Sequence, residues 1–356
     1  MKLGALAGWL LLFLLTLTGR AQAMDNPYHL QTAATLPQFY QQTLPGFWHQ
    51  HAQPGEISGV DGVPLRYVAL RNPASHDAIL IVNGRIESYI KYQELAYDLY
   101  QQGYSVYLYD HRGQGFSGRL LTDPHKGYVQ HFDDYVQDLK RFRDQVVMAD
   151  QPSRTFLLSH SMGGAISARY LQTYPQDITA AVFSAPMFGI QLGWLPTWLA
   201  RAVTWLLDSV TQLLGIESPY APGQGGYDPV PFADNELTHD ATRYAWFRDT
   251  YRAYPEVQLG GPTARWVHQA LTAAEAAVQS GTAIRTPVLV LQAGDDSVVN
   301  NDRQQAFCQL MSQAGHPCAG GGVQRIAGAR HELFNEADRY RVPALTATLD
   351  FFRQKP

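Results

Sequence analysis

Residues 155–164 read Thr-Phe-Leu-Leu-Ser-His-Ser-Met-Gly-Gly. The apolar run suits a buried strand, and the helical pattern that resumes near Ala165 demands an abrupt reversal between the two. Ser161 stands at the apex of that turn. Gly163 and Gly164 follow it, so the backbone can double back and leave the serine hydroxyl exposed. A bare Ser-x-Gly match is common and says little. Bounded by a buried strand and a Gly-Gly helix entry, it is specific. The position two before the serine usually carries Gly in such elbows; here it is Ser159, so the turn must accommodate a β-carbon.

Outward from the elbow, short β-rich runs alternate with helical ones. Residues 60–63 (Val-Asp-Gly-Val) read as a hairpin turn joining a first strand, from Ile57, to a second over 65–70. Apolar runs at 78–82, 104–109, 155–158, 178–183, 287–292 and 322–326 continue the series. Helical patterns fall at 92–102, 135–149 and 165–173. Near-continuous apolar strands alternating with helices predict a mostly parallel sheet covered on both faces, with ligands bound beyond the carboxyl ends of the strands.

The alternation breaks between about residues 187 and 280, which hold Trp194, Trp198, Trp205, Trp246 and Trp266. A helix is expected over 196–214, with Leu199, Ala202, Val203, Leu206, Val210 and Leu213 at helical spacing and Arg201, Thr204, Asp208 and Thr211 elsewhere on the wheel. The length of the segment favours a helical cap over an ordinary pair of sheet-packed helices. The expected organisation is a core over 24–186, a cap over 187–280 and the rest of the core over 281–356.

Acyl transfer needs a nucleophile, a base in hydrogen-bond reach and a group that orients the base. With a nucleophile on a strand-to-helix elbow, the acid and the histidine follow in that order along the chain. Asp295 and Asp296 come after the run at 287–292, and Asp296 is the chosen acid. His331 comes after the last strand, in Gly328-Ala329-Arg330-His331-Glu332; position rather than residue type singles it out among 12 histidines. The expected oxyanion donors are the backbone N–H groups of Met162 and of Arg85, the latter in Asn83-Gly84-Arg85, which leaves the Arg85 side chain for another role such as meeting a phosphate. His160 adjoins the nucleophile, but neighbours on an elbow point apart, so it reads as structural. His331-Glu332 begins like a zinc-protease helix, yet position 335 is Asn, so the second histidine ligand is absent. No metal and no cofactor are implied.

The 356 residues are 46% hydrophobic and 16% charged, enough apolar material for one large core. The net charge of −4 is interspersed, without the clustered Lys and Arg that nucleic-acid binding requires. At the N-terminus, Lys2, an apolar run over 4–18 and Ala21-Gln22-Ala23 predict a signal peptide over 1–23, with an uncleaved anchor helix as the alternative. Either way the folded part is expected outside the cytoplasm, periplasmic or secreted. In an exported chain the two cysteines, Cys308 and Cys318, are a candidate disulfide, worth about 2–3 kcal/mol by the chain-entropy argument; two free buried thiols are the alternative.

Four runs together, Asn83-Gly84-Arg85-Ile86-Glu87-Ser88, Asp110-His111-Arg112-Gly113-Gln114-Gly115, the elbow and Gly328-Ala329-Arg330-His331-Glu332, resemble the monoglyceride lipases and, within that group, the bacterial lysophospholipases. Ala233-Asp234-Asn235-Glu236-Leu237-Thr238 and Gly260-Gly261-Pro262-Thr263-Ala264-Arg265-Trp266 are similar to segments of those lysophospholipases. The likeness runs over about 57–350. It departs at Asn83, where many of these lipases have His, and at Ser159. It implies an α/β-hydrolase fold, hydrolysis of a single-chain lipid ester and a helical cap over the acyl pocket. With such a substrate, peripheral membrane contact through that cap is expected. The expected activity is that of a lysophospholipase. A monoacylglycerol lipase or general carboxylesterase on the same scaffold, and a lipid-binding protein that only borrows the fold, are the alternatives.

Overall fold

The computed structural model describes residues 25–355. The expected signal peptide over 1–23 lies outside the described residues.

Eight strands form one sheet: β1 (Ala52–Ser58), β2 (Pro64–Leu70), β3 (Asp77–Val82), β4 (Ser105–Tyr109), β5 (Arg154–His160), β6 (Ala180–Ser184), β7 (Val288–Ala293) and β8 (Val323–Ile326). Their order across the sheet is β1-β2-β4-β3-β5-β6-β7-β8. β1 and β4 each run antiparallel to β2, and every pairing from β4 onward is parallel. The predicted mostly parallel sheet is thus present, with an antiparallel hairpin at one edge. β1 begins five residues earlier than expected, at Ala52 rather than Ile57. Pro54 and Gly55 hide it from propensity, and an edge strand tolerates a proline because one side of its backbone needs no partner.

The helices are α1 (Leu36–Gln38), α2 (Leu44–His51), α3 (Gln93–Gln101), α4 (Asp133–Phe142), α5 (Met162–Thr173), α6 (Thr197–Leu213), α7 (Ala241–Ala253), α8 (Ala264–Ser280), α9 (Asn301–Gln313) and α10 (Asp338–Arg353). Strand periodicity divides the core between the two faces of the sheet. In β3, Ala78, Leu80 and Val82 join α4, α5, α8 and α9 on one face. Ile79 and Ile81 join α2, α3 and α10 on the other. Side chains two apart share a face, so a strand covered on both sides must be apolar throughout, as these runs are.

Between β6 and β7 the chain leaves the sheet for α6, α7 and α8. Cys308 in α9 and Cys318 are joined by a disulfide, with Cα atoms 5.5 Å apart. Both are buried, and the bond ties the end of α9 to the approach to β8.

Candidate active site

Ser161 follows β5 directly and caps α5, with φ 52° and ψ −118°. A non-glycine residue reaches this region only when its surroundings over-determine it. Here the surroundings do so: Ser161 N–H donates to Ser184 O, and its own carbonyl accepts from Gly164 and Met187 N–H. A β-carbon at Gly163 would stand 2.1 Å from Val82 O, and one at Gly164 2.5 Å from Pro186 Cβ. Both glycines are therefore required for the helix to start against the sheet. Ser159 fits without its usual glycine because it is an ordinary member of β5, its hydroxyl donating to Val182 O at 3.4 Å.

The loops after three different strands bring the chosen residues together. His331 Nε2 lies 2.9 Å from Ser161 Oγ, and His331 Nδ1 lies 2.8 Å from Asp296 Oδ2. The other Asp296 oxygen accepts from Val298 and Val299 N–H at 2.8 and 3.0 Å. Burial pushes the Asp296 carboxyl up, but the His331 hydrogen bond and charge and the two N–H groups outweigh it, holding the carboxyl below its ordinary value. Asp295 points into solvent. A carboxylate kept charged against Nδ1 fixes the tautomer in which Nε2 can accept a proton from Ser161.

The loop after β3 approaches the same point: a β-carbon on Gly84 would stand 3.2 Å from Ser161 Cβ. The N–H groups of Arg85 and Met162 donate to no acceptor among the described residues, which leaves both available to a substrate oxygen. Several residues outside the expected site hold this loop. Gly84 N–H donates to Glu87 Oε2. Gln114 Nε2 donates to Gly84 O and Glu87 O, both at 2.8 Å, and His111 Nε2 bonds Asn83 O at 3.0 Å. The run Asp110-His111-Arg112-Gly113-Gln114-Gly115 is thus a brace for the loop facing Ser161, a role its spacing did not signal.

A buried charge cluster lies beneath. Lys91 Nζ bonds Glu87 Oε1 at 2.8 Å and Glu332 Oε1 at 2.5 Å. Burial pushes the Glu87 carboxyl up, but Lys91 and His160, with the Lys91 and Tyr92 hydrogen bonds, bring it down to about 2. His160 is nearer the chemistry than elbow geometry suggested: its ring centroid lies 4.7 Å from that of His331, and its Nε2 lies 4.0 Å from Glu87. Burial pushes its pKa down to about 4, so it stands neutral beside His331 at neutral pH.

Ser161 and His331 open into a cavity of about 680 Å³ whose wall is mostly apolar. The segment between β6 and β7 supplies much of that wall, including Leu195, Leu199, Val203 and Trp266. The same segment grips the loop that carries His331. Glu332 N–H donates to Leu237 O at 2.9 Å, and Arg330 Nη1 donates to Asn235 O and Thr238 O at 2.9 and 3.2 Å.

α6 is helical over nearly the predicted range, but its polar stripe faces inward. Thr204 and Asp208 are 4% and 5% exposed, whereas Trp198 and Leu213 are 70% and 87% exposed. The reason is a buried ion pair, Asp208 Oδ1 to Arg265 Nε at 3.0 Å, which turns that stripe onto α8. Trp205, Leu206 and Val210 are left facing solvent with Trp198 and Leu213.

Comparison with known proteins agrees with this architecture. The family model described as serine aminopeptidase, S33, matches residues 73–338. Lysophospholipase L2 of Escherichia coli (strain K12) is 42% identical, over 87% of this chain and 90% of its own length. A probable lysophospholipase L2 of Haemophilus influenzae is 35% identical, over 83% and 90%. A soluble variant of monoglyceride lipase from Saccharomyces cerevisiae, solved with a substrate analog, shares the fold with a TM-score of 0.65 at 18% identity, over 86% of this chain and 96% of that one. An eight-stranded mostly parallel sheet with a serine elbow after β5, and the similarity of nearly the whole chain to these relatives, lead to one conclusion: the chain belongs to the serine aminopeptidase S33 family of α/β-hydrolases, in its lysophospholipase L2 branch.

Proposed function

We propose that the chain is a lysophospholipase that cleaves the acyl ester of single-chain phospholipids through an acyl-enzyme on Ser161. The observation that carries this reading is the hydrogen-bonded series Ser161–His331–Asp296 opening into a mostly apolar cavity of about 680 Å³. His331 takes the hydroxyl proton as Ser161 attacks the ester carbonyl and returns it to the leaving glycerol oxygen. Asp296 stabilises the imidazolium in between, and Arg85 and Met162 N–H receive the oxyanion. Water then releases the fatty acid by the same route in reverse. A peptide substrate fits less well. Glu87 and Glu332, the carboxylates on the cavity wall, are both committed to Lys91, so neither is free to hold a terminal ammonium.

The segment over 187–280 acts in this reading as a cap, and the outward apolar stripe of α6 rests on the phospholipid surface that supplies the substrate. Residues of the stripe adjoin Leu199 and Val203, which line the cavity, so a lipid leaving the bilayer has a continuous apolar path to Ser161. Each tryptophan or leucine taken from water adds about 1.5–3 kcal/mol. One set of assays tests both statements. The wild-type chain is expected to hydrolyse long-chain lysophosphatidylcholine faster than p-nitrophenyl acetate, and to sediment with phosphatidylglycerol-containing vesicles. The Trp198→Ser/Trp205→Ser/Leu213→Ser variant should bind those vesicles at least roughly tenfold more weakly. Activity confined to short acyl esters contradicts the substrate, and unchanged vesicle binding contradicts the docking face.

Export belongs to the same proposal. It is supported by the N-terminal apolar run ending in Ala21-Gln22-Ala23 and by the Cys308–Cys318 bond, of a kind that persists in oxidising compartments. The mature protein is expected to begin at Met24 on N-terminal sequencing; a cytoplasmic product that retains Met1 contradicts it.

A further inference from the structure

Among the described residues Arg85 has no carboxylate partner. The buried arginines Arg112, Arg243, Arg265 and Arg341 each pair with one. Arg85 is half-buried and lines the cavity that holds Ser161 and His331. Its guanidinium stacks over Trp266, 5.1 Å from the ring centroid, and donates from Nη2 to Gly260 O at 2.5 Å. Its Nε is buried without a partner. Burial lowers its pKa to about 10, so the group stays charged at neutral pH.

The slot is built to hold that cation. A β-carbon on Gly127 would stand 3.2 Å from Nη2, and Gly127 N–H bonds Gly261 O at 3.0 Å. Gln224, on the same cavity wall, packs against Gly261. A guanidinium partly withdrawn from water, with no carboxylate beside it, leaves N–H donors for an anion, and a planar fork of such donors matches a phosphate's oxygens. In the proposed mechanism the backbone N–H of the same residue receives the ester oxygen. In a lysophospholipid the phosphorus follows the acyl ester by a short glycerol bridge, about the reach of an arginine side chain.

We propose that the Arg85 guanidinium is the phosphate-recognition group of this site: it binds the phosphodiester of a lysophospholipid whose ester lies against Ser161, and so selects phosphate-bearing over neutral single-chain esters. The inference rests on the lysophospholipase reading and deepens it.

The test compares kcat/KM for lysophosphatidylcholine and for a monoacylglycerol of the same acyl chain, in the wild-type chain and in Arg85→Met and Arg85→Lys. The ratio of the two substrates is expected to fall roughly 10–100-fold in Arg85→Met and to recover in part in Arg85→Lys, as the loss of a charge-assisted contact predicts. Inhibition of wild-type monoacylglycerol hydrolysis separates the sources of the phosphate. Competition by glycerophosphocholine alone assigns a phosphodiester site. Competition by inorganic phosphate as well assigns a general phosphate site, and in either case Arg85→Met should abolish it. An unchanged substrate ratio, with both rates altered together, gives Arg85 a purely structural role and overturns the inference while the lysophospholipase reading stands. Failure of the wild-type chain to hydrolyse lysophosphatidylcholine overturns both.

Discussion

Replacing Ser161 with Ala is expected to lower kcat on lysophosphatidylcholine by about 10⁴–10⁶-fold, with KM little changed. The substitution removes the oxygen that sits 2.9 Å from His331 Nε2. Among the described residues no other hydroxyl is bonded to that nitrogen, so the imidazole has no proton to take and no covalent intermediate forms. The fold has little reason to respond. Alanine at φ 52° is as constrained as serine, and the backbone bonds to Ser184, Gly164 and Met187 do not involve the side chain. Thermal unfolding close to that of the wild type, with activity gone, is the expected pair of results. The remaining rate over water is what the Arg85 and Met162 N–H groups and substrate binding supply without a nucleophile.

Asp296→Asn is expected to cost about 10⁴-fold in kcat. The amide oxygen can keep the bonds from Val298 and Val299 N–H, so the loop after β7 stays in place. That choice turns the amide nitrogen toward His331 Nδ1, where a carboxylate oxygen now lies 2.8 Å away. Two donors cannot face each other, so the imidazole gives up its Nδ1 proton and carries it on Nε2, pointing at Ser161. The base is then present, correctly placed and in the wrong tautomer. Asp295→Asn is the control, because that side chain is exposed and touches none of these groups. Its kcat should stay within about twofold of the wild type, as for most surface substitutions.

The parts of this site that could be read from the sequence are those written in short, contiguous patterns. The elbow is a local signal: apolar strand, serine, two glycines, helix. Chain order then orders the acid and the histidine, and His331 and Asp296 meet Ser161 because β5, β7 and β8 end on the same side of one parallel sheet. The supporting shell was not legible. Lys91 and Glu332 are 241 residues apart, and neither charge announces that it is buried and paired. Gln114 braces Gly84 across a strand crossing that no spacing encodes. The amphipathic pattern of α6 is legible in the sequence, but periodicity cannot tell which stripe turns inward. Here that was decided by Arg265, 57 residues further along the chain, which drew Asp208 inside. A helix whose polar stripe is buried and whose apolar stripe is exposed reverses the usual rule for soluble proteins, and the proposed docking on a phospholipid surface is what would cover that stripe.

These observations converge on one atom, Ser161 Oγ, as the site of the covalent step. The most direct measurement is to treat the purified wild-type protein with a fluorophosphonate, digest it and locate the adduct by mass spectrometry. The account predicts a single modification on Ser161, formed in step with loss of lysophosphatidylcholine hydrolysis and absent from the Ser161→Ala variant. An adduct on another residue, or full hydrolytic activity with Ser161 left unmodified, would contradict it.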